Sequence, residues 1–440
     1  MVPSELDYQA VVASLVCLFG YLYLWQRVNK SRRPLPPGPA RLPLIGNLLK
    51  IPTSFEWITY HKWCQDLDSD IIHVDVAGKS IIVLDTIAAA TELLEKRSSI
   101  YSGRPKMTML LELMGWDFLT GFMPYGELWR EHRRLVHQSF HPNAALRFRP
   151  QELKASRGLL RRLLKDPNDV LGHLRHMSGE VIMSITYGIE VGPEDDPYIT
   201  TAERAVRSLS MAAIPGRFLV DSVSALKYVP AWVPFAGFQR KAKEWKELAL
   251  AMIHPPYNVV KHSIVGILLH LPPFVSFLVQ NSGNTIPSFV SDNLEIIGKY
   301  GNQEHRESVI RATAGTMYAA FLAGADTTVS TMSTCVLGLI KNPDALRKAQ
   351  EEIDRVVGSS RLPDFDDEPS LPYISALVKE SLRWNLVTPL DSDPPARAML
   401  HDEKVYPEPF GFLPDRFMKD GKLNPAIPDP SRVAFGFGRR

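Results

Sequence analysis

Phe435-Gly436-Phe437-Gly438-Arg439-Arg440 is the stretch whose reading decides the fold. Glycines alternating with phenylalanines suit a tight turn laid against a planar ring, because glycine reaches backbone conformations closed to other residues. Alone, the hexapeptide could equally be a flexible tail. It gains weight from two stretches upstream, Ala323-Gly324-Ala325-Asp326-Thr327-Thr328 and Glu380-Ser381-Leu382-Arg383.

Each of these has a chemical reading and a bland one. Small residues at Ala323, Gly324 and Ala325 make a thin place on a helix where a flat cofactor could lie, and Asp326-Thr327 sets a carboxylate beside a hydroxyl. The bland reading is a helix crossing made of small residues. Glu380 and Arg383, three apart, share a helical face and can pair. As a lone motif, such a pair is common on surfaces and contributes little. Trp129 and Arg133, four apart, also share a face. An arginine fork there suits a carboxylate, although an amphipathic surface helix would look the same.

Taken together and in this order, the stretches resemble the cytochrome P450 family, whose loop runs Phe-x-x-Gly-x-Arg-x-Cys-x-Gly. Phe435, Gly438 and Arg440 fill the first three fixed places, and the cysteine falls two positions past Arg440. The resemblance, to the fungal microsomal, O-methylsterigmatocystin oxidoreductase-like type, implies a mainly α fold with a small β element. That is the P450 fold, expected here to be incomplete at its C-terminus. It implies haem b as cofactor, an NADPH-cytochrome P450 reductase as electron donor and a small lipophilic substrate that receives one oxygen atom. Asp326 and Thr327 would deliver protons, with Ala323 and Gly324 beside the ring. Trp129, Arg133 and Arg440 would hold propionates, and Phe435 and Gly438 would shape the loop. Glu380 and Arg383, joined by Arg416 of Pro414-Asp415-Arg416-Phe417, would form a buried structural clamp.

Composition agrees with a large folded enzyme. The chain has 440 residues, 45% of them apolar, which supports a sizeable core. Fifty basic against 48 acidic residues leave a formal charge of +2, so no global field favours nucleic acid. Three cysteines, Cys17, Cys64 and Cys335, cannot build a disulfide framework. Tyr8 to Gln26 carries no charge and is long enough for one membrane span. Glu5 and Asp7 precede it and Arg27, Lys30, Arg32 and Arg33 follow, which places the body on the cytoplasmic side, at the endoplasmic reticulum by resemblance. The expected organisation is an anchor with its basic flank at 1–33, a proline-rich hinge at 34–45 and a haem domain at 46–440.

Within the body, Ile71–Val76 and Ser80–Leu84 flank Ala77-Gly78-Lys79 and read as a hairpin. Ser308 to Ile340 contains no proline and reads as one helix about 50 Å long. The spacing predicts another helix from Pro343, capped by Asn342, with Leu346, Ala349, Ile353 and Val357 on its apolar face and Gly358 at its end. Three departures from the family pattern stand out: the ligand position past Arg440, the short connection between Pro389 and His401, and an apolar stretch from Ile264 to Val279 broken by Pro272-Pro273. The expectation drawn from them is a mis-spliced or truncated gene product. It keeps open the alternative that the chain is an inactive, membrane-anchored remnant.

Overall fold

The structure, a computed structural model, describes residues 34–438 except 44, 53–54, 77, 194–195, 215, 235, 271–286, 298–301 and 387–395. The side chains of 265–270, 320–326 and 396 also lie outside it. The expected membrane span therefore falls outside the described residues, as does most of the Ile264–Val279 stretch. Among the described residues, no helix is long and apolar enough to cross a membrane.

The described chain forms two compact units that interleave along the sequence. One gathers the residues up to Tyr101, Asn342–Ala349 and those from Pro372 onward; the other holds Ser102–Lys341 and Gln350–Leu371.

The first unit is built on helix α1 (Glu56–Asp66) and a hairpin of β1 (Ile71–Val76) and β2 (Lys79–Leu84). The β-branched residues of 71–84 favour a pleated surface. Asp75 Oδ1 accepts from the Gly78 N–H at 2.9 Å, which fixes the turn. Ile72, Val74 and Val83 pack against Tyr60 and Cys64 of α1. The proline-rich 34–45 stretch is pinned along β1. Asn47 Nδ2 donates to Pro39 O at 3.1 Å and Ala40 O at 3.2 Å, and Gly38 lies so close that a Cβ there would sit 2.0 Å from His73 O.

The second unit is helical. Its longer elements are α2 (Glu127–Phe140), α3 (Arg149–Lys165), α4 (Val170–Tyr187), α5 (Pro197–Ala213), α6 (Gly237–His270), α7 (Phe289–Ile297) and α8 (Gln303–Lys341). Caps explain several boundaries. Asp169 accepts from Gly172 N at 3.0 Å to open α4, and Gly188, at φ +66°, closes it. Asp196 opens α5 with Pro197 at its first turn. The core joins α4, α5, α6 and α8 through Ile182, Met183, Ala202, Ala205, Met252, Tyr257, Ala314 and Tyr318, all buried.

Prolines 255 and 256 lie inside α6. An interior proline costs a helix about 3 kcal/mol, so the sequence alone argues for a break there. The buried Ala249, Met252, Ile253, Tyr257 and Val260 on both sides hold the helix together instead. This is packing overriding propensity.

In sequence, one helix ends at the changeover between units and the next crosses it. The long helix expected from Ser308 runs from Gln303 to Lys341, and α9 (Pro343–Val356) begins at Pro343, with Gly358 at φ +75° just beyond it. In the first unit, α10 (Pro372–Trp384) is followed by a 3₁₀ turn at Pro414–Phe417 and a small hairpin, β3 (Met418–Lys419) with β4 (Lys422–Leu423). Nothing in the sequence pattern announced that hairpin beyond Asp420-Gly421 at its turn, where Gly421 adopts φ +73°.

Candidate functional site

Glu380 and Arg383 sit one turn apart on the buried face of α10, beside the buried Ala376 and Leu377. Leucines, alanines and a tyrosine supply the apolar surroundings, so an ion pair there has no water to fall back on. Arg383 Nε donates to Glu380 Oε2 and Nη2 to Oε1, each at 2.8 Å. Neither side chain reaches solvent. The remaining Arg383 donors go to backbone: Nη1 to Leu400 O at 3.1 Å and Pro409 O at 2.8 Å, and Nη2 to Gly411 O at 3.0 Å. All five guanidinium hydrogens are thus used.

Arg416 arrives from the 3₁₀ turn. Its Nε lies 3.3 Å from Glu380 Oε1, while Nη1 donates to Pro407 O and Nη2 to Glu408 O at 3.0 Å. The Leu413 N–H completes the carboxylate shell at 2.7 Å. One carboxylate therefore faces two guanidinium groups. The surplus positive charge is spread over carbonyl oxygens, an arrangement that meets each buried polar group. Burial lowers the Arg416 pKa, against the pull of Glu380. Tyr406, 5.6 Å from the Arg383 guanidinium, has its hydroxyl pKa pushed up to about 12 by burial and donates to Pro428 O at 3.0 Å.

The sequence reading missed the carbonyl ring. Its signal was Pro407-Glu408-Pro409-Phe410-Gly411. Prolines there interrupt regular structure and leave carbonyls without helical or strand partners. Chemically the Glu380–Arg383 pair has every polar hydrogen engaged and no access to solvent, so it can hold shape but cannot turn over a substrate.

The glycine-containing end lies in the same unit. Phe437 is buried against Ala90, Tyr406, Phe417 and Val433, whereas Phe435 is 78% exposed. Gly436 and Gly438 have φ of +80° and +91°, and a Cβ on Gly438 would come within 2.7 Å of Leu94 O. Glycine is required at 438 on both counts. Arg440 lies outside the described residues.

The remaining candidates belong to the second unit. Trp129 is buried on α2, its ring 5.1 Å from that of Tyr125, while Arg133 one turn on is exposed. The shared face predicted from their spacing is thus split between core and solvent. Next to it, His132 is buried, and that burial drives its pKa down to about 4. Its Nδ1 lies 3.1 Å from Thr120 Oγ1, which donates to Thr316 Oγ1 of α8 at 3.3 Å. Since the threonine donates onward, the imidazole is the donor in this contact.

Thr327 is half-buried on α8, and its carbonyl accepts from Thr331 Oγ1 at 2.9 Å. The side chains of Ala323, Gly324 and Asp326 lie outside the described residues. Helix α8 is also thin at Gly315, where a Cβ would approach Ile253 Cγ2 at 2.8 Å and Phe118 Cε2 at 3.2 Å.

For an iron–thiolate centre, the described donor set does not fit. Cys64 is buried under the hairpin, and burial pushes its thiol up to about 12, far from a thiolate at neutral pH. Cys335 sits half-buried on α8 nine positions past Asp326, away from the terminal loop in sequence. Among the described residues no cluster of histidine, cysteine or carboxylate could hold a metal ion.

Comparison with known proteins supplies what the described atoms cannot. A cytochrome P450 family model matches residues 36–392. The chain is 42% identical to cytochrome P450 monooxygenase 98 of Postia placenta, over 95% of this chain and 81% of that protein. It is 40% identical to tryptamine 4-monooxygenase of Psilocybe cyanescens, over 94% and 82% of the two chains. With cytochrome P450 monooxygenase ple1 of Rhodocybe pseudopiperita it shares 38% identity over its whole length and 84% of the relative. Helical architecture, a buried Glu–Arg–Arg cluster and these matches converge, and the chain belongs to the cytochrome P450 monooxygenases.

Proposed function

We propose that this chain is a haem-dependent monooxygenase of fungal secondary or xenobiotic metabolism, anchored to the endoplasmic reticulum by the 8–26 segment. It would act on a small lipophilic substrate, with electrons from an NADPH-dependent reductase. The single observation that carries the reading is the fully buried Glu380–Arg383 pair, joined by the half-buried Arg416. Removing these charges from water is costly unless every donor is matched, and the matched cluster would serve as a rigid floor.

In this reading bound haem supplies the oxygen-activating chemistry, and the residues do the rest. Arg133 offers a solvent-facing guanidinium to a carboxylate, with Trp129 fixing its helix from the buried side. Arg440 would hold a second carboxylate. Asp326 and Thr327 would deliver protons from α8, the acid and the hydroxyl acting in relay. Ala323 and Gly324 would leave room beside them. Gly438 would keep the terminal loop flat against Leu94, and the clamp would hold α10 beneath it.

The test is haem uptake by the full chain in detergent, followed by the absorption spectrum of the reduced, carbon-monoxide-bound form. Saturable uptake that Arg133→Ala weakens, with far-UV circular dichroism unchanged, supports the reading. No uptake at all refutes it for this chain. A thiolate-type Soret band would overturn the separate reading that neither Cys64 nor Cys335 ligates iron.

A further inference from the structure

Helix α2 buries three side chains, Trp129, His132 and Ser139, with Leu135 and Phe140 partly covered. Apolar burial is largely indifferent to angle, whereas a hydrogen bond has a preferred distance and direction. His132 supplies the directional contact. Its Nδ1–H donates to Thr120 Oγ1 at 3.1 Å, and that hydroxyl donates to Thr316 Oγ1 of α8 at 3.3 Å. Thr316 is itself held, accepting from the Thr120 N–H at 3.2 Å and donating to Phe118 O and Ala312 O. The tie is dry, since His132 is 1% exposed, and a hydrogen bond away from water is the stronger for it. A second link between the same helices, Glu131 to His305 at 2.8 Å, has both side chains partly in solvent, where such pairs hold little.

Arg133 follows His132 directly, so it stands about 100° further round the helix, and it faces solvent. Any roll of α2 swings its guanidinium. We propose that His132 is a positioning residue: through Thr120 and Thr316 it locks the rotation of α2 on α8, and so fixes where Arg133 meets a carboxylate of the bound ring. This rests on the haem reading above and adds to it the group that aims the arginine. Aim matters because the fork bonds a carboxylate through two parallel hydrogen bonds, which a small misplacement breaks. The imidazole is neutral at pH 7, since burial drives its pKa down to about 4. The tie therefore adds no second cation beside Arg133 to compete for the same carboxylate.

Fluorescence titration of the full chain in detergent with metal-free protoporphyrin IX, and with its dimethyl ester, tests this. The parent chain should prefer the diacid, and Arg133→Ala should remove about tenfold of that preference. His132→Leu should remove a comparable part although Arg133 is still present. Thr120→Val, which keeps the shape but breaks the tie, should act in the same direction. His132→Asn offers an amide N–H in place of the Nδ1–H and should restore most of the preference. A merely structural role would weaken both porphyrins alike and leave their ratio unmoved. An unmoved ratio in His132→Leu, beside a lost preference in Arg133→Ala, overturns the proposal and leaves the arginine assignment standing. A parent chain that takes both porphyrins equally overturns the carboxylate reading and this inference with it. Should His132→Leu fail to fold, an unmoved ratio in Thr120→Val is decisive against the proposal.

Discussion

Arg383 meets Glu380 side-on, Nε and Nη2 each 2.8 Å from one carboxylate oxygen, in a place where neither side chain touches solvent. This two-point contact fixes the guanidinium plane and so aims its other hydrogens at the carbonyls of Leu400, Pro409 and Gly411.

Removing one partner should therefore be severe. Glu380→Gln leaves two buried guanidinium groups facing a neutral amide, and Arg383→Ala strands a buried carboxylate. Each should cost about 3–5 kcal/mol. Arg383→Lys should rescue little, since a point charge cannot fill five fixed donor directions. Urea unfolding of the three variants checks this; a midpoint within error of the parent chain for either of the first two would rule out the clamp.

Gly438→Ala combines a positive φ with a backbone clash, and should destabilise by roughly 1–3 kcal/mol. Gly421→Ala is the matched control. It shares the positive φ, at +73°, but a Cβ there meets nothing within 4 Å. The difference between the two variants isolates the contact with Leu94, and equal losses would show that contact to be immaterial.

Two histidines make stability depend on pH. Burial depresses His132 and His401 from 6.5 to about 4. Between those values the unfolded chain binds protons that the folded chain refuses. Stability is thus complete above about pH 6.5 and falls as the pH drops towards 4, by up to about 3 kcal/mol per histidine. Unfolding midpoints measured across that window should decline, and His132→Asn should flatten part of the slope. A midpoint independent of pH between these limits would contradict the burial of both rings.

Thr316→Val should be worse than its size suggests. The hydroxyl accepts from the Thr120 N–H at 3.2 Å and donates into the pair of carbonyls Phe118 O and Ala312 O, at 2.9 and 3.0 Å. Valine keeps the shape and orphans those groups, at about 1–3 kcal/mol. Thr316→Ser should recover most of it. Faster hydrogen exchange at the Thr120 amide in the valine variant, and not in the serine one, is the signature to look for.

Much of this was legible from residue order. Proline-free spacing marked α8, Asn342-Pro343 marked the start of α9, and β-branched runs about a glycine marked the β1–β2 hairpin. These are local signals, set by period and by turn chemistry. What stayed hidden was set by distant partners. Pro255-Pro256 reads as a helix break until the core on either side is known. Trp129 and Arg133 look alike in phase, yet one is core and the other solvent. The Glu380–Arg383 spacing gives a pair but not the carbonyls that complete it, because backbone groups carry no residue-type signature.

The carbonyl ring around Arg383 also sets an order of assembly. Its atoms come from chain positions 383, 400, 409 and 411, and the carboxylate's last donors come from 413 and 416. During synthesis α10 emerges with its charged pair still hydrated, and it cannot be dehydrated until the ribosome has released the stretch through Arg416. Quality-control proteases therefore have a defined window in which this helix is the vulnerable point of a half-made chain.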